Sequence, residues 1–386
     1  MKTLLVLGLF FTVPCLAYAG KFTEVYGYPG EASASTLLPN GDVLLTGVST
    51  SWGAEKRALL FHPGDNDRRT PFELLENGMH YYREGNTATL LNNGKVLLVG
   101  GAFISARHED DEGVYFLKEY NSSAELYDPA SKTFTEIPGG SIQTRTDPAV
   151  TPLQDGRVLI VGGDVDSEGL PTFTNTAEIY DPSSNTFKRA GAPTQDEYFS
   201  TATLLPSGKV LMAGGISQDA EIYDPTKDAF SVTGRMPEGT YTAHKTSMAF
   251  MLPNGQVLVT GTVFAHLAND NHEPHPFATL YDPEKGTFAP TGAPNTLRSD
   301  ASGVQLSDGR VLLTGGYQLR GSLKVSSSEI YDAATGQFTM DASLHTGRSN
   351  GIATLLKDGR VLVYGGSGEN QYPSLPELMT SEIYTP

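Results

Sequence analysis

Apolar and polar positions follow one repeating block along almost the whole chain. Residues 88–101 show the block: a short strand of small residues, an Asn-Asn-Gly turn, and an apolar strand that ends on Gly-Gly. Two such runs joined by a glycine turn predict a β-hairpin. The turn glycine always follows Asn, Asp or Ser, and it recurs at Gly41, Gly94, Gly156, Gly208, Gly255, Gly309 and Gly359. Seven hairpins predict seven structural units.

Each unit continues with a variable loop and a third strand that ends on Tyr-Asp-Pro or a related triplet. The Asp-Pro pair ends that strand and starts a turn. An aromatic residue then marks a fourth strand, at Phe72, Phe134, Phe187, Phe230, Phe288 and Phe338. These are six fourth strands for seven units. Because residues 21–25 resemble residues 133–137, we expect the N-terminal segment to join the last unit and close a ring, with Phe22 beside Tyr384.

This order of turn glycine, apolar strand, Gly-Gly, Tyr-bearing strand and outer aromatic resembles the kelch repeat, and it covers residues 21–386. Five glycine doublets are intact, at residues 100–101, 162–163, 214–215, 315–316 and 365–366. The resemblance implies an all-β, seven-bladed propeller of four-stranded blades, in which the repeated aromatics pack between blades. Kelch propellers bind partners, isomerise sugars or oxidise alcohols, so this fold alone leaves the function open.

The first 19 residues fit an export signal. They carry Lys2, an apolar run over residues 4–13 and a small-residue triplet before Gly20. We expect cleavage there, a propeller domain of residues 20–386, and a periplasmic or secreted protein. The apolar run is shorter than the roughly 20 residues that cross a bilayer, so we expect no membrane insertion after cleavage. Cys15 is the one cysteine, so the mature chain forms no disulfide and uses no thiolate chemistry.

Composition restricts the partners. The chain has 386 residues, of which 42 are Gly and 24 Pro, and its formal net charge is −17. Removing Lys2 with the leader makes the charge −18. Such a surface repels nucleic acid and keeps an exported protein soluble. We expect a monomer that needs no cofactor.

The variable loops and the crossovers between blades fall on one face, so we expect any site there. We call two sets of equivalent positions registers. The first lies eleven positions before each turn glycine, and the second lies nine positions before it. Because the blades are related by rotation, each register should form a ring at the mouth of the central channel. The first contains Gly30, Arg83, Arg145, Glu197, His244, Arg298 and Arg348, and the second Ala32, Gly85, Asp147, Phe199, Thr246, Asp300 and Asn350.

The arginines allow two interpretations. They could be structural, each paired with Asp147, Asp300 or a neighbouring blade. Alternatively, they could capture a carboxylate, sulfate or phosphate, with Asp147, Asp300 and the crossover tyrosines Tyr81, Tyr198 and Tyr241 completing the site. The functional hypothesis is a binding protein for an acidic glycan or peptide.

Two other functions remain open at this point. Propellers similar to sialic-acid mutarotases use Arg-rich mouths for an acidic sugar, and a mutarotase or epimerase would need proton-transfer groups, for which Glu197, His244 and His345 are candidates. An adhesive surface protein would instead use the long loops. Residues 355–361 resemble copper oxidases related to galactose oxidase, but their radical cofactor needs a cysteine, and the mature chain has none.

The sequence contains one weak calcium candidate. Asp164, Asp166 and Glu168 alternate before a glycine, as ligands do in calcium loops, but the twelfth position is Asn175 instead of a bidentate Glu. A solvated acidic loop is the favoured interpretation. We therefore expect no metal site.

Overall fold

The structure is a computed structural model that describes residues 20–26, 30–50, 53–54, 56–64, 71–110, 113–167, 170–194, 201–215, 218–237, 247–264, 274–318, 323–368 and 380–386. Within these residues all regular structure is β. The first eighteen strands are β1 (Lys21–Tyr26), β2 (Ala34–Leu37), β3 (Val43–Thr46), β4 (Ser49–Thr50), β5 (Gly53–Ala54), β6 (Leu59–Phe61), β7 (Phe72–Leu74), β8 (Thr87–Leu90), β9 (Val96–Val99), β10 (Ala102–Asp110), β11 (Gly113–Tyr120), β12 (Ala124–Asp128), β13 (Thr133–Glu136), β14 (Ala149–Pro152), β15 (Val158–Val161), β16 (Asp164–Ser167), β17 (Leu170–Phe173) and β18 (Ala177–Asp181). The others are β19 (Thr186–Arg189), β20 (Thr201–Leu204), β21 (Val210–Ala213), β22 (Asp219–Asp224), β23 (Ala229–Arg235), β24 (Ser247–Met251), β25 (Val257–Phe264), β26 (Pro274–Asp282), β27 (Thr287–Pro290), β28 (Ser302–Gln305), β29 (Val311–Thr314), β30 (Tyr317–Gln318), β31 (Leu323–Lys324), β32 (Ser328–Asp332), β33 (Gln337–Met340), β34 (Ile352–Leu355), β35 (Val361–Tyr364) and β36 (Thr380–Thr385).

Seven antiparallel four-stranded sheets form the predicted blades. From the inner to the outer strand they are β2-β3-β6-β7, β8-β9-β12-β13, β14-β15-β18-β19, β20-β21-β22-β23, β24-β25-β26-β27, β28-β29-β32-β33 and β34-β35-β36-β1, which we number blades 1 to 7. Each inner strand contacts the inner strand of the blade on either side, and β34 contacts β2. The seven-bladed ring is thus confirmed.

The core lies between the blades. Seven apolar clusters fill the seven interfaces, one for each pair of neighbouring blades. The second strands are buried at every position because both of their faces meet another blade. In every blade the third-strand and fourth-strand aromatics stack with ring centroids 4.8 to 5.1 Å apart. The repeated aromatics therefore pack, as predicted.

The N-terminal strand closes the ring. β1 pairs antiparallel with β36, from Lys21 opposite Thr385 to Tyr26 opposite Thr380. Phe22 is 3% exposed and stacks on Tyr384 at 5.1 Å. The predicted closure is confirmed, so segments more than 350 residues apart in the chain share one blade.

Additional two-stranded ribbons rise from one face of the ring. They are β4-β5, β10-β11, β16-β17 and β30-β31, and each follows the second strand of its blade. The ribbons of blades 1, 2 and 3 contact one another in sequence, through β5 with β10 and β11 with β16. Nine residues of extended chain in β10 span about 30 Å. No helix in the described part of the chain is long and apolar enough to cross a membrane.

Candidate functional site

A cavity of about 360 Å³ opens at the mouth of the central channel, on the face that carries the ribbons. Five blades contribute to its wall. The lining residues are Glu31, Ala32, Ser33, Glu84, Gly85, Asp147, Asp300, Ala301, Asn350, Gly351 and Ile352. Five members of the second predicted register are among them, namely Ala32, Gly85, Asp147, Asp300 and Asn350, so that register does form part of a ring at the mouth.

The mouth is held by hydrogen bonds from blade to blade. The hydroxyl of Ser33 accepts from the backbone N–H of Gly85 at 2.8 Å, and the carbonyl of Gly85 accepts from Asp147 N–H at 2.7 Å. On the other side of the ring, the carbonyl of Asp300 accepts from Asn350 N–H at 3.0 Å. These bonds fix the positions of the lining residues before any ligand arrives.

Four residues of the second register that line the mouth have a left-handed backbone. Gly85, Asp147, Asp300 and Asn350 have φ of 72°, 52°, 50° and 55°. This region is strained for most L-residues, and Gly, Asn and Asp tolerate it best. The antiparallel pairing continues on both sides of this residue, from the bridge between Glu84 and Ala102 to the pair of Thr87 and Val99, so the left-handed residue interrupts the inner strand without changing its direction.

The ribbons begin directly beside the mouth. An isolated bridge pairs Glu84 with Ala102, the first residue of β10. Another pairs Thr146 with Asp164, the first residue of β16. A third bridge pairs Ser299 with Tyr317 at the start of β30. The variable segments are therefore on the same face as the cavity, and the ribbons of blades 1 to 3 flank it on one side.

Lys324 is a cation near this cavity. Its Nζ donates to the hydroxyls of Ser349 at 2.6 Å and Ser367 at 3.1 Å, and it lies 5.4 Å from the ring centre of Tyr317. Burial lowers the pKa of Lys324, while the charges of Glu31 and Asp300 oppose that shift. One side of the mouth thus combines an ammonium group with carboxylates.

The four arginines of the first register do not line the mouth. Arg83, Arg145, Arg298 and Arg348 are 0 to 4% exposed. Each guanidinium donates to a buried glutamate on the third strand of its own blade, at 2.6 to 2.9 Å. Each also donates to the carbonyl of the glycine that follows the second strand, at 2.6 to 2.9 Å. The expected pairing with Asp147 and Asp300 is corrected by this geometry, since the partners are Glu125, Glu178, Glu329 and Glu382.

The arginines therefore belong to the scaffold. Each arginine side chain lies over the end of its own blade, where Arg145, for example, contacts the carbonyl of Gly162 and the carboxylate of Glu178. Burial lowers the pKa of Arg145, and the charge of Glu178 opposes the shift. For Glu329, burial favours a higher pKa, but hydrogen bonds from Arg298 and Asn295 outweigh it and hold the pKa below its usual value. The buried pair of Arg298 and Glu329 thus remains ionised.

The repeats themselves contain the signal for this network. The glutamate always stands two residues before the third-strand Tyr, and it occurs in all four blades that have the arginine. Three blades lack the arginine. Blades 1 and 5 have Leu59 and Thr279 at the position of the glutamate, and blade 4 has Glu221. The spacing of the arginines alone does not reveal this pairing. Glu31, Glu84 and Lys324 were also missed, because they lie one residue off the registers or on a ribbon.

The other predicted site residues are placed as follows. The hydroxyl of Tyr81 donates to Glu136 at 2.6 Å, at the end of the outer strand of blade 2. His345 is half-exposed, with Nδ1 2.9 Å from Glu382, and it is not among the residues that line the cavity. Glu197, His244, Tyr198 and Tyr241 lie outside the described residues.

The calcium candidate has a different backbone from a calcium loop. Asp164 and Asp166 lie on β16, which is extended and pairs with β17, whereas calcium loops are compact. Glu168 and the side chain of Asp166 are outside what the structure describes. Among the described residues, no group of three or more His, Cys, Asp or Glu side chains could hold a metal ion.

Grooves also occur on the opposite face. Two of about 440 Å³ lie between the hairpin turns and Asp-Pro turns of blades 2, 3 and 4. Their charges pair locally: Arg157 donates to Asp155 at 2.8 Å, and Lys209 lies 3.5 Å from Asp224. Carboxylates from four blades meet at the mouth, whereas each of these grooves is lined by two neighbouring blades, so we regard the mouth as the better candidate site although it is the smaller cavity.

Comparisons with known proteins agree with the fold. The profile of the Kelch motif family matches residues 148–193. A fungal alcohol oxidase of the AA5 family, in complex with copper, has a similar structure with a TM-score of 0.70 and 18% identity, over 95% of this chain and 76% of that one. The protein YjhT is similar with a TM-score of 0.57 and 14% identity, over 82% of this chain and 99% of that one. A search of curated proteins gives no match.

The closed ring of seven four-stranded blades identifies the class: the chain is a seven-bladed β-propeller, and its residues 148–193 match the Kelch motif. At identities below 20%, similarity to the two solved structures concerns the fold.

Proposed function

We propose that this protein binds a small ligand at the channel mouth, and that the ligand carries a protonated amine on a hydroxylated ring, as an amino sugar does. The observation that carries this proposal is the composition of the cavity wall. Four carboxylates, from Glu31, Glu84, Asp147 and Asp300, surround about 360 Å³ of space. A cavity of this size suits a small ligand.

Charge favours a cationic ligand. Four of the residues that line the cavity carry carboxylates, and Lys324 is a cation near them. Two opposite charges 4 Å apart attract by about 4 kcal/mol at the effective dielectric constant of a protein surface. An ammonium group entering the cavity would face carboxylates from more than one blade, and the cost of desolvating the charges offsets most of this attraction.

Neutral polar groups at the mouth suit hydroxyl groups of a ligand. Asn350 is exposed and lines the cavity beside Ser33. An amide offers donors and an acceptor, and carboxylates accept hydrogen bonds from sugar hydroxyls. A ring with both hydroxyls and an amine would therefore use the charged and the neutral groups together.

This ligand differs from the acidic glycan or peptide that we expected from the sequence. That hypothesis needed exposed guanidinium groups, and the four arginines are buried against glutamates. An anionic ligand in the cavity would face the carboxylates instead. The proposed ligand is cationic instead of anionic because carboxylates, and not arginines, line the cavity.

We further propose that the protein is exported after removal of residues 1–19, and that it works as a monomeric binding protein in the periplasm or outside the cell. The small-residue triplet before Gly20 supports the cleavage. An acidic surface with a formal charge of −18 after cleavage supports a soluble, unassociated protein.

The test is a thermal-shift panel on the chain that begins at Gly20. Glucosamine, N-acetylglucosamine and glucuronic acid share a ring and differ in charge, and a lysine-containing tripeptide supplies the same ammonium without a sugar. A ligand at about 100 times its Kd stabilises the fold by about 2.7 kcal/mol. We expect glucosamine to raise the Tm most. A larger shift with glucuronic acid would refute the charge assignment, and a larger shift with the tripeptide would refute the sugar.

A further inference from the structure

The geometry at Gly20 indicates a second function for the predicted cleavage site. Gly20 is buried, and its backbone nitrogen donates to Oδ1 of Asp341 at 3.0 Å. A Cβ on residue 20 would lie 2.2 Å from the ring of Tyr384, so only glycine fits there. The residue that would become the new N-terminus thus occupies a fitted position in the fold.

Asp341 connects this nitrogen to the closing blade. The residue follows the outer strand of blade 6, and its Oδ2 accepts a hydrogen bond from the hydroxyl of Tyr384 in blade 7. Tyr384 is 1% exposed, and burial together with the bond to Asp341 raises the pKa of its hydroxyl, which therefore remains a donor. The carboxylate joins two blades and the nitrogen of Gly20.

The ring contains a similar contact built around an ordinary peptide group. Between blades 3 and 4, Oδ1 of Asp228 accepts from the backbone N–H of Gly191 at 3.0 Å and from the hydroxyl of Tyr223 at 2.9 Å. The set of groups is the same: one third-strand tyrosine, one aspartate and one glycine nitrogen. This interface provides an internal comparison, because its nitrogen stays neutral.

We propose that cleavage of the peptide bond between Ala19 and Gly20 creates an α-ammonium group that pairs with Asp341 and latches the ring. A peptidase that recognises small residues would add water across the bond. The hydroxyl goes to the carbonyl carbon of Ala19, and the nitrogen of Gly20 takes up the protons that make it an ammonium. A charged donor to a carboxylate binds more strongly than a neutral N–H, so processing strengthens a contact that the fold already contains. This inference rests on the proposed export and is independent of the ligand at the mouth.

The first experiment maps the start of the protein. The full 386-residue chain is produced in a secreting host, and the exported product is measured by intact mass spectrometry. The expected mass is that of the chain beginning at Gly20, and a variant with Ala19→Arg should keep its leader. Any other first residue in the exported protein would overturn the assignment of the cleavage site.

The second experiment tests the latch and does not depend on export. The chain beginning at Gly20 is compared with the same chain acetylated only at that residue by an N-terminal acetyltransferase, which keeps the N–H donor and removes the charge. We expect acetylation to lower the Tm by about 2 °C or more. In Asp341→Asn the two forms should melt together. In Asp228→Asn, the matched change at the neutral contact, the difference should persist. Equal Tm values for the two forms of the unmutated chain would overturn the latch.

Discussion

Four buried arginines hold their blades together at the end of the second strand, and each does so in the same way. Arg145 donates to the carbonyl of Gly162 after the second strand and to Glu178 on the third strand. The second carboxylate oxygen of Glu178 accepts from the backbone N–H of Ile142 in the incoming crossover. One ion pair therefore joins two strands and the segment that enters the blade. At the residue scale, these side chains explain stability and not ligand binding.

Arg145→Met is expected to destabilise the fold by about 3 kcal/mol, because it leaves Glu178 buried without its cation. Urea unfolding measures this change. The control is Arg157→Met, whose guanidinium pairs with Asp155 on the surface and is 35% exposed. Its loss should cost about 0.5 kcal/mol. Equal effects of the two substitutions would contradict the scaffold role.

The same network predicts how stability responds to acid. The folded-state pKa of Glu329 lies below its ordinary value of 4.5. A depressed pKa contributes stability that is fully present above the unfolded value and is lost as the pH falls through the folded value. As the pH falls below 4.5, the free energy of unfolding should therefore decrease more steeply in the unmutated protein than in Glu329→Gln. Glu284→Gln, on an exposed turn, is the control and should leave the slope unchanged. Parallel curves for all three proteins would contradict the assignment.

At the element scale, β1 is the strand that turns seven blades into a closed ring. It supplies the outer strand of blade 7 through six paired residues. Phe22 extends the apolar cluster between blades 6 and 7, together with Leu344 and Tyr384. Without β1, one edge of β36 would be open to association with other chains.

Phe22→Ala is expected to cost about 3 kcal/mol or more, as for other buried phenylalanines. Its matched control is Phe338→Ala, which removes an aromatic of similar burial and stacking from blade 6, away from the closure. Both should lower the unfolding free energy. Only Phe22→Ala should accelerate hydrogen exchange along β1 and β36 before global unfolding, and equal exchange in the two variants would show that β1 does not open separately.

The repeats predicted the elements well for a physical reason. Turn glycines, apolar second strands and outer aromatics are short-range signals, and seven copies in register remove most ambiguity. Even the closure could be predicted, because residues 21–25 match the missing fourth strand. The direction of the arginines could not be obtained from spacing alone. Spacing placed Arg145 and Asp147 in neighbouring rings, but it did not reveal that Arg145 is buried against Glu178 while Asp147 lines the cavity.

At the scale of the whole molecule, the ring converts local repeats into one site. Glu31, Glu84, Asp147 and Asp300 come from four blades and meet only because the ring closes. The ribbons of blades 1 to 3 stand beside the same opening. The opposite face has short turns with local ion pairs, whereas the face of the mouth carries the longer ribbons.

The most direct test of this account is isothermal titration of glucosamine into the mature chain and into the double variant Asp147→Asn, Asp300→Asn. Both substitutions keep the left-handed backbone accessible and remove charge from the mouth. The account predicts that the double variant binds at least about tenfold more weakly, a loss of about 1.4 kcal/mol, while Glu284→Gln binds like the unmutated protein. An unchanged Kd in the double variant, or tighter binding of glucuronic acid than of glucosamine by the unmutated protein, would contradict it.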